Sequence, residues 1–402
     1  MVFKKHKKLV LVLLTILPIT LCGCWDSIEI EKRAYVLGIA IDVPKDKNLN
    51  SNSIEYMPPE ANGPLYAYTI QIPIISNSMN RPTGQSGSSS SKERQANLTI
   101  VSTSFFEANR EFSTQIDYAP YYPHLNSIVI NESVAKEDIS KFLDMFLRDS
   151  EIRRRTRIFI TPDEAKTILD VTPKIDDYSS QYLYFLPNNN HKTSRLLHKT
   201  DLGKVSEAMH ENRDFVLPKV ISDKNSIIKN AGCAVFKDNK MVGWLDEIRT
   251  NYLKIITNYA NGGTVSINLP EYKDYPVILE IKKVKTKQRP IVNDDSIKMK
   301  INIKSTLSIS ELNIPNCPSA MNSELLEEIE KLTENKIKEQ VEETISYVQK
   351  TYGADVFLFG VNINRFAPNT WDKIKDDWDQ HFRYLDFDID VKVSIKQFGL
   401  MK

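Results

Sequence analysis

Residues 296–304 read S-I-K-M-K-I-N-I-K, a pattern that indicates a long β-strand. Its apolar side chains alternate strictly with polar ones, and they are Ile297, Met299, Ile301 and Ile303. A period of two residues is the repeat of a β-strand, so one face of this strand should be buried while the other faces water. Long strands of this kind are typical of antiparallel sheets.

The same alternation returns at residues 387–396, which read F-D-I-D-V-K-V-S-I-K. Between the two strands, residues 323–352 carry one apolar stripe at helical spacing, which predicts a long helix packed on the sheet. A strand at 356–363 and a helix capped by Asn369 should follow it. One face of that second helix carries Trp371, Ile374, Trp378 and Phe382. We expect this face to be buried against the long helix or the final sheet. These elements predict a C-terminal α+β domain at 291–402.

Upstream, residues 231–245 contain two apolar runs around a Lys-Asp-Asn-Lys turn, which is the pattern of a β-hairpin. A turn at Asn261-Gly262-Gly263 then predicts a further strand at 264–269. We assign residues 201–290 to a middle domain that contains this hairpin.

The N-terminal part begins with a buried strand at 33–42 and then alternates predicted strands and helices as far as residue 169, which indicates a mixed α+β layer. Within it, residues 76–96 contain G-Q-S-G-S-S-S-S-K-E-R, whose small polar side chains predict a mobile Ser-rich loop. This N-terminal domain should span 24–200. The predicted fold is α+β and multi-domain, with largely antiparallel or mixed sheets flanked by helices, after a cleaved lipoprotein signal peptide.

The start of the chain indicates export. Residues 4–8 include four lysines, and residues 9–20 are almost entirely apolar. That apolar run is shorter than the ~20 residues of a transmembrane helix. The sequence Leu21-Cys22-Gly23-Cys24 resembles the lipobox of bacterial lipoproteins, so we expect a signal peptide at 1–23 and a diacylglyceryl group on Cys24. Two acyl chains give a stable anchor, whereas a single chain binds a membrane only reversibly.

The charge balance disfavours nucleic acid as a partner. Loss of residues 1–23 removes four of the 53 basic residues and none of the 52 acidic ones, which leaves a net charge of about −3. The dense basic run at 153–157, R-R-R-T-R, is interpreted as a solvated edge rather than an anion site.

Cys233 and Cys317 could form a disulfide outside the cell, but two free, buried thiols are the preferred prediction.

The sequence contains none of the common motifs of catalytic, nucleotide or metal sites. Five histidines follow the signal peptide, without the spacing of metal ligands: His124, His191, His198, His210 and His381. We therefore expect no catalytic residue, no cofactor and no metal, and hence no enzyme. Trp371 and Trp378 could form a carbohydrate or partner platform, but their apolar helical face favours packing in the core.

Several short segments occur in a characteristic order along the chain. Near the start these are Cys24-Trp25-Asp26, Glu29-Ile30 and R-A-Y-V-L-G-I-A-I-D at 33–42. Further along they are 124–129, 146–149, 151–153, 232–245, Asp355, Phe359-Gly360, Trp371, Trp378, Phe382 and Gly399. In this order and spacing they resemble the Ger(x)C lipoproteins, which are the C subunits of spore germinant receptors.

The resemblance implies a non-catalytic, membrane-anchored lipoprotein of a nutrient germinant receptor, needed for receptor assembly or signalling in spore germination. Its partners would be integral membrane subunits of the A and B types and the lipid bilayer, through the Cys24 anchor. Its location would be the outer surface of the inner spore membrane. Family members of known shape have three α+β domains.

Two other classes of exported protein fit the sequence less well. The alternative function is that of a solute-binding lipoprotein that delivers a small molecule to a membrane transporter. Such proteins usually have two parallel α/β lobes, which the long alternating strands disfavour. A hydrolase of the cell wall is disfavoured because the sequence offers no nucleophile or metal constellation.

Overall fold

The computed structural model describes residues 32–45, 62–74, 94–223, 227–293, 296–312, 314 and 323–397. The signal peptide, Cys24 and Cys317 lie outside these residues, as does most of the Ser-rich segment 76–96. The last two residues of that segment are not loop, because they open a strand. Among the residues that the structure describes, no helix is long and apolar enough to cross a membrane.

The described residues form a two-residue strand pair, two larger sheets and the helices that cover them. The strands are β1 Ala34–Tyr35, β2 Gly38–Asp42, β3 Tyr66–Pro73, β4 Gln95–Ser102, β5 Pro120–Tyr121, β6 Ser127–Asn131, β7 Arg157–Thr161, β8 Phe215–Ser222, β9 Ile228–Lys237, β10 Lys240–Leu245, β11 Thr264–Asn268, β12 Pro276–Asn293, β13 Ser296–Leu312 and β14 Asp386–Gln397. The helices are α1 Phe105–Phe112, α2 Glu132–Ala135, α3 Ser140–Arg148, α4 Ala165–Asp170, α5 Ser179–Phe185, α6 Leu202–His210, α7 Glu247–Ile256, α8 Ser323–Thr351, α9 Phe359–Phe366, α10 Pro368–Ile374 and α11 Trp378–Tyr384.

The first large sheet has the order β10-β9-β8-β7-β6-β2-β3-β4. Strands β2, β6 and β7 are parallel neighbours, and β2-β3-β4 and β8-β9-β10 are antiparallel, so the sheet is mixed. Both faces of its centre are covered. Ile39 and Ile128 face a core that includes α1, α3 and α6, whereas Ala40 and Val129 face a core that includes α4 and α5. This two-sided burial explains why these strands are continuous apolar runs in the sequence.

The second sheet has the order β11-β12-β13-β14. Strand β13 pairs antiparallel with β12 and parallel with β14. The apolar side chains of the strand that was predicted first, Met299, Ile301 and Ile303, are buried in a core that they share with helices α7 and α8. The long helix and both alternating strands therefore form as predicted, and the class of fold is confirmed as α+β with mixed sheets flanked by helices.

The segment between α8 and β14 differs from its prediction. Residues 356–363 do not form a strand; they form a loop that turns into helix α9. The single helix predicted from Asn369 is two helices, α10 and α11, separated by a 3-10 turn at Lys375–Asp377. Pro368 starts α10, and Asn369 lies inside that helix rather than capping it. Apolar residues such as 356–359 suit a buried loop as well as a strand, so spacing alone could not separate the two.

The sheets do not follow the domain boundaries expected at 200/201 and 290/291. Residues 201–290 contribute β8, β9 and β10 to the first sheet and β11 and most of β12 to the second. The hairpin itself, β9 and β10, forms as expected. Strands β7 and β8 pair only at Ile160 and Lys219, so the hairpin segment is joined to the rest of its sheet by a narrow junction. Independent folding of 24–200, 201–290 and 291–402 stays a prediction.

Candidate functional site between the two sheets

A cleft of about 410 Å³ lies where the first sheet meets the C-terminal helices. Helix α6 and the start of β8 form one wall, and the loop before α9 together with α9 forms the other. The charged side chains that line it are balanced in sign: Lys204, Glu207, Glu211, Arg213, Asp214 and Arg365. A concave site between two folded parts of a chain is the usual position for ligand binding or for a movement of one part against the other.

The loop before α9 is shaped by Asp355. Its buried carboxylate accepts hydrogen bonds from the backbone N–H of Phe359, at 3.0 Å, and of Gly360, at 2.7 Å. These are N–H groups of the first helical turn, which have no partner inside the helix. The chain reaches this geometry by placing Leu358 at a φ of 64°, a left-handed conformation that a leucine rarely adopts. Gly360 fits because an added Cβ would lie 3.0 Å from the rings of both Trp371 and Trp378.

Asp214, at the start of β8, joins the first sheet to this loop. Its Oδ2 accepts a hydrogen bond from the backbone N–H of Asp355 at 2.7 Å. Burial raises the pKa of Asp214 to about 7, and the neighbouring Asp355 carboxylate adds to that rise. Burial also raises the pKa of Asp355, against the hydrogen bonds from Gly360 and Phe359 that lower it. Two close, buried carboxyl groups therefore lie at the junction of the two parts.

Lys237, at the end of β9, makes a second connection across the junction. Its ammonium group donates to the backbone carbonyl of Gly353 at 2.9 Å and pairs with Asp379 at 2.6 Å. The side chain of Lys237 is only 16% exposed and that of Asp379 is 55% exposed, so the ammonium end of this ion pair is shielded from water while the carboxylate end is open to it. Together with Asp214, it holds residues 353–360 against the first sheet.

The opposite end of the cleft contains His198. Its ring stacks on Tyr259 with centroids 4.1 Å apart, and its Nδ1 has no hydrogen-bond partner within the described residues. Burial lowers the pKa of His198 to about 3, helped by the positive charges of Lys204 and Lys254, so the ring is neutral near pH 7. Lys254 itself is buried and donates to the carbonyl of Leu196 at 2.7 Å, and burial lowers its pKa to about 8.

Asp214 and Lys254 can bind or release a proton near neutral pH, and together with His198 they make the cleft region polar. These groups are not arranged as a known catalytic constellation. Among the described residues, no three His, Cys, Asp or Glu side chains are placed to hold a metal ion.

His191 is exposed, and its Nδ1 lies 2.8 Å from the carbonyl oxygen of Asn188. In the basic run, Arg157 points inward to Asp201 at 3.3 Å, whereas residues 153–155 are exposed. Cys233 is fully buried, and its Sγ lies 3.3 Å from the hydroxyl of Thr250.

We expect Asp214→Asn to remove a pH-dependent part of the free energy of unfolding. The folded pKa of Asp214, about 7, lies above its ordinary value of 3.8, so its contribution is fully present below pH 3.8 and is lost as the pH rises through 7. The wild-type protein should lose on the order of 2–4 kcal/mol relative to the variant across this range. Denaturant unfolding at a series of pH values measures the difference.

His198 acts in the opposite direction over part of this range, because its folded pKa is lowered, but it is present in both proteins and cancels in the difference. Asp376→Asn, which changes an exposed carboxylate, is the matched control and should leave the pH profile unchanged. A constant difference between wild type and Asp214→Asn at all pH values would contradict the role assigned to Asp214.

Most of these groups could not be predicted from sequence patterns. Asp355 was noted only within the family resemblance, and Asp214, Lys237 and Lys254 stand among many charged residues that are exposed. Their partners are distant in the chain: 141 residues separate Asp214 from Asp355, and 58 separate Lys254 from Leu196. Without the fold, a buried charge of this kind has no local signature.

The fold and the cleft define an α+β protein in which a mixed sheet and a smaller sheet meet at a polar junction. Residues 26–222 match the family described as "Spore germination protein N-terminal domain", and residues 231–399 match "Spore germination B3/ GerAC like, C-terminal". The chain therefore belongs to the spore germination B3/GerAC-like family. This confirms the family inferred from the order of the short segments.

Relatives from Bacillus subtilis (strain 168) are similar over nearly their whole length. The chain is 28% identical to spore germination protein YndF, covering 98% of this chain and 97% of that protein. It is 25% identical to spore germination protein B3, covering 95% of each. The crystal structure of the GerBC protein covers 84% of this chain and 95% of that one, with a TM-score of 0.57 and 21% identity. The two share a fold.

Proposed function

We propose that this chain is the lipid-anchored C subunit of a nutrient germinant receptor and that it acts in receptor assembly or signalling without catalysing a reaction. The observation that carries the proposal is the match of two consecutive family descriptions to 26–222 and 231–399. Relatives named spore germination proteins B3 and A3 align over 95% and 96% of this chain, so the similarity extends to the whole chain rather than to one shared domain.

The proposed role includes two integral membrane partners of the A and B types. Purification of the tagged chain from spore membranes, followed by crosslinking and mass spectrometry, tests this directly. Both membrane subunits should be recovered, with crosslinks to defined surfaces of this chain. Recovery of the chain without either subunit, under conditions that keep other receptors intact, would reject the role in a receptor.

The proposed location is the outer surface of the inner spore membrane, where the acyl chains on Cys24 would hold the protein. We expect Cys24→Ala to abolish fatty-acyl labelling and to release the protein from membranes, because two acyl chains supply the whole anchor in this proposal. Metabolic labelling with an alkyne fatty acid, followed by fractionation, measures both effects.

Cys22→Ala is the matched control, since it changes a cysteine two positions away that should carry no lipid. It should keep both labelling and membrane attachment. Unchanged labelling of the Cys24→Ala variant would end the proposal of a lipid on this residue.

The alternative, a solute-binding lipoprotein, is favoured by one observation, the cleft of about 410 Å³ between the sheets. Its volume lies within the range of small-molecule sites. However, Arg213 in its wall is already paired with Glu207 at 3.8 Å and with Glu211, so these charges are not free to hold a charged solute. Calorimetry with amino acids and sugars separates the two functions, because micromolar affinity would favour solute delivery.

A further inference from the structure

The second sheet has one covered face and one open face. Thr286, Ile303 and Val391 lie in register across β12, β13 and β14, and the two apolar residues of this row are buried in the core. The next row, one residue along each strand, points to the other side. That row consists of Lys285, Lys304 and Lys392, and all three are exposed.

Three lysines directly opposite one another on neighbouring strands are unusual, because strands lie about 4.8 Å apart and like charges in this position repel. Two more exposed lysines, Lys283 and Lys287, flank Lys285 at the adjacent open-face positions of β12. We call these five residues the lysine face: Lys283, Lys285, Lys287, Lys304 and Lys392. Repulsion among these lysines lowers the stability of the folded chain, so the stability of the fold does not explain why they are grouped.

Within the described residues, no ion pair relieves this repulsion. Towards one end of the open face, Lys300 pairs with Asp388 at 3.9 Å, and near the other end Lys282 pairs with Glu280. The five members of the lysine face form no ion pair with any described residue. Asp390 lies in the same row as Asn302 and Lys287, two residues from Lys392, at the β14 edge of this surface. The centre of the open face is therefore a concentrated positive surface on a chain whose total charge is near zero.

The other side of the same layer is acidic. Helix α8, which covers the opposite face of the sheet, contains eight glutamates and four lysines. The layer thus has a positive side and a negative side, and an anionic surface would attract the first and repel the second. This polarity fixes which side of the layer would face such a partner.

We propose that the lysine face docks the C-terminal sheet onto the anionic headgroups of a lipid bilayer. The inference rests on the proposed membrane anchorage for the location, and on charge complementarity for the surface. Lysines near an anionic membrane add to binding in proportion to their number, even without a shaped pocket. Five flexible, strongly hydrated ammonium groups on an open sheet suit a fluid surface, whereas a discrete phosphate site is built from arginine forks and backbone N–H groups.

The test uses the lipidated mature protein on vesicles of phosphatidylcholine alone and of phosphatidylcholine with phosphatidylglycerol. Acetylation rates of individual lysines are measured by mass spectrometry. On the anionic vesicles, the lysine face should react severalfold more slowly than on neutral ones, and high salt should abolish the difference. Exposed lysines of α8, namely Lys331, Lys336 and Lys350, should react equally on both.

A triple variant tests whether the row itself is responsible. With Lys285→Gln, Lys304→Gln and Lys392→Gln, the remaining Lys283 and Lys287 report on docking and should lose their protection on anionic vesicles. The matched variant Lys331→Gln, Lys336→Gln and Lys350→Gln removes the same charge from α8 and should keep the protection. All of these side chains are exposed, so both variants should fold.

Equal acetylation of the lysine face on both vesicles would overturn the proposal. Protection that requires the membrane subunits and ignores lipid charge would also overturn it, in favour of an acidic protein surface. The proposed anchor is judged separately by flotation with neutral vesicles. If the protein fails to float there, the anchor is wrong, and acetylation in the presence of anionic vesicles still decides whether the lysine face binds them.

Discussion

Phe382→Ala is expected to lower the free energy of unfolding by about 3–5 kcal/mol, which is the usual cost of removing a buried aromatic ring. Phe382 is fully buried, and its ring lies 6.4 Å from that of Phe357 and 6.3 Å from that of Phe359. Its backbone carbonyl accepts a hydrogen bond from Gln349 of α8 at 2.8 Å, so the ring lies where α11, α9 and the long helix meet. The cavity would disturb all three.

Denaturant or thermal unfolding of the purified protein measures this effect. Tyr384→Ala removes an aromatic ring that is 86% exposed, two residues away, and it should change stability little. If Phe382→Ala unfolded at the same denaturant concentration as the wild type, the assigned core would be wrong. The sequence placed Trp371 and Trp378 in this core too, but the structure leaves both half-buried, packed against its margin.

Gly232→Ala is expected to have an effect of similar size, on the order of 3–5 kcal/mol, for a different reason. Gly232 has a φ of 104°, in a region that residues with a side chain rarely adopt. An added Cβ would lie 2.2 Å from the carbonyl oxygen of Leu245 and 3.1 Å from the carbonyl carbon of Asp246. Both contacts are backbone, so neither can turn away. Asp246 caps α7 through the N–H of Arg249, and a shift there would disturb that helix as well.

Gly63→Ala is the matched control. Its Cβ would meet nothing closer than the Cγ2 of Thr103 at 3.5 Å, an ordinary contact, and stability should change by less than about 0.5 kcal/mol. Circular dichroism during urea unfolding compares the two variants. A Gly232→Ala protein as stable as Gly63→Ala would show that the β9–β10 hairpin yields more easily than its packing indicates.

Some helices and strands of this protein could be predicted from the sequence and others could not, and the difference has a physical cause. The strand at 296–304 and the helix at 323–352 were found because each buries one face against a core, which leaves a period of two or 3.6 residues in the sequence. The loop at 356–358 is buried through bonds to Asp355 and through tertiary contacts, and it has no period of its own. Local spacing therefore suggested a strand.

Of the cleft between the sheets, little could be predicted. Asp214 in its wall and the nearby Lys237 and Lys254 are single charged residues whose partners lie far along the chain. Only one part of the lysine face could be predicted from the sequence, because Lys304 is one of the polar residues that alternate with apolar ones at 298–304. Its other members lie on β12 and β14, and only the register of the sheet brings Lys285 and Lys392 beside Lys304.

Strand β14 forms an outer edge of the second sheet, where backbone N–H groups would ordinarily be free to pair with a strand from another molecule. Two glutamates of α8 occupy two of these donors. The N–H of Val393 donates to Glu334 at 3.0 Å, and the N–H of Ile395 donates to Glu330 at 2.7 Å. A strand from a second copy of the chain therefore cannot pair with β14 at these two positions, which blocks polymerisation through this part of the edge.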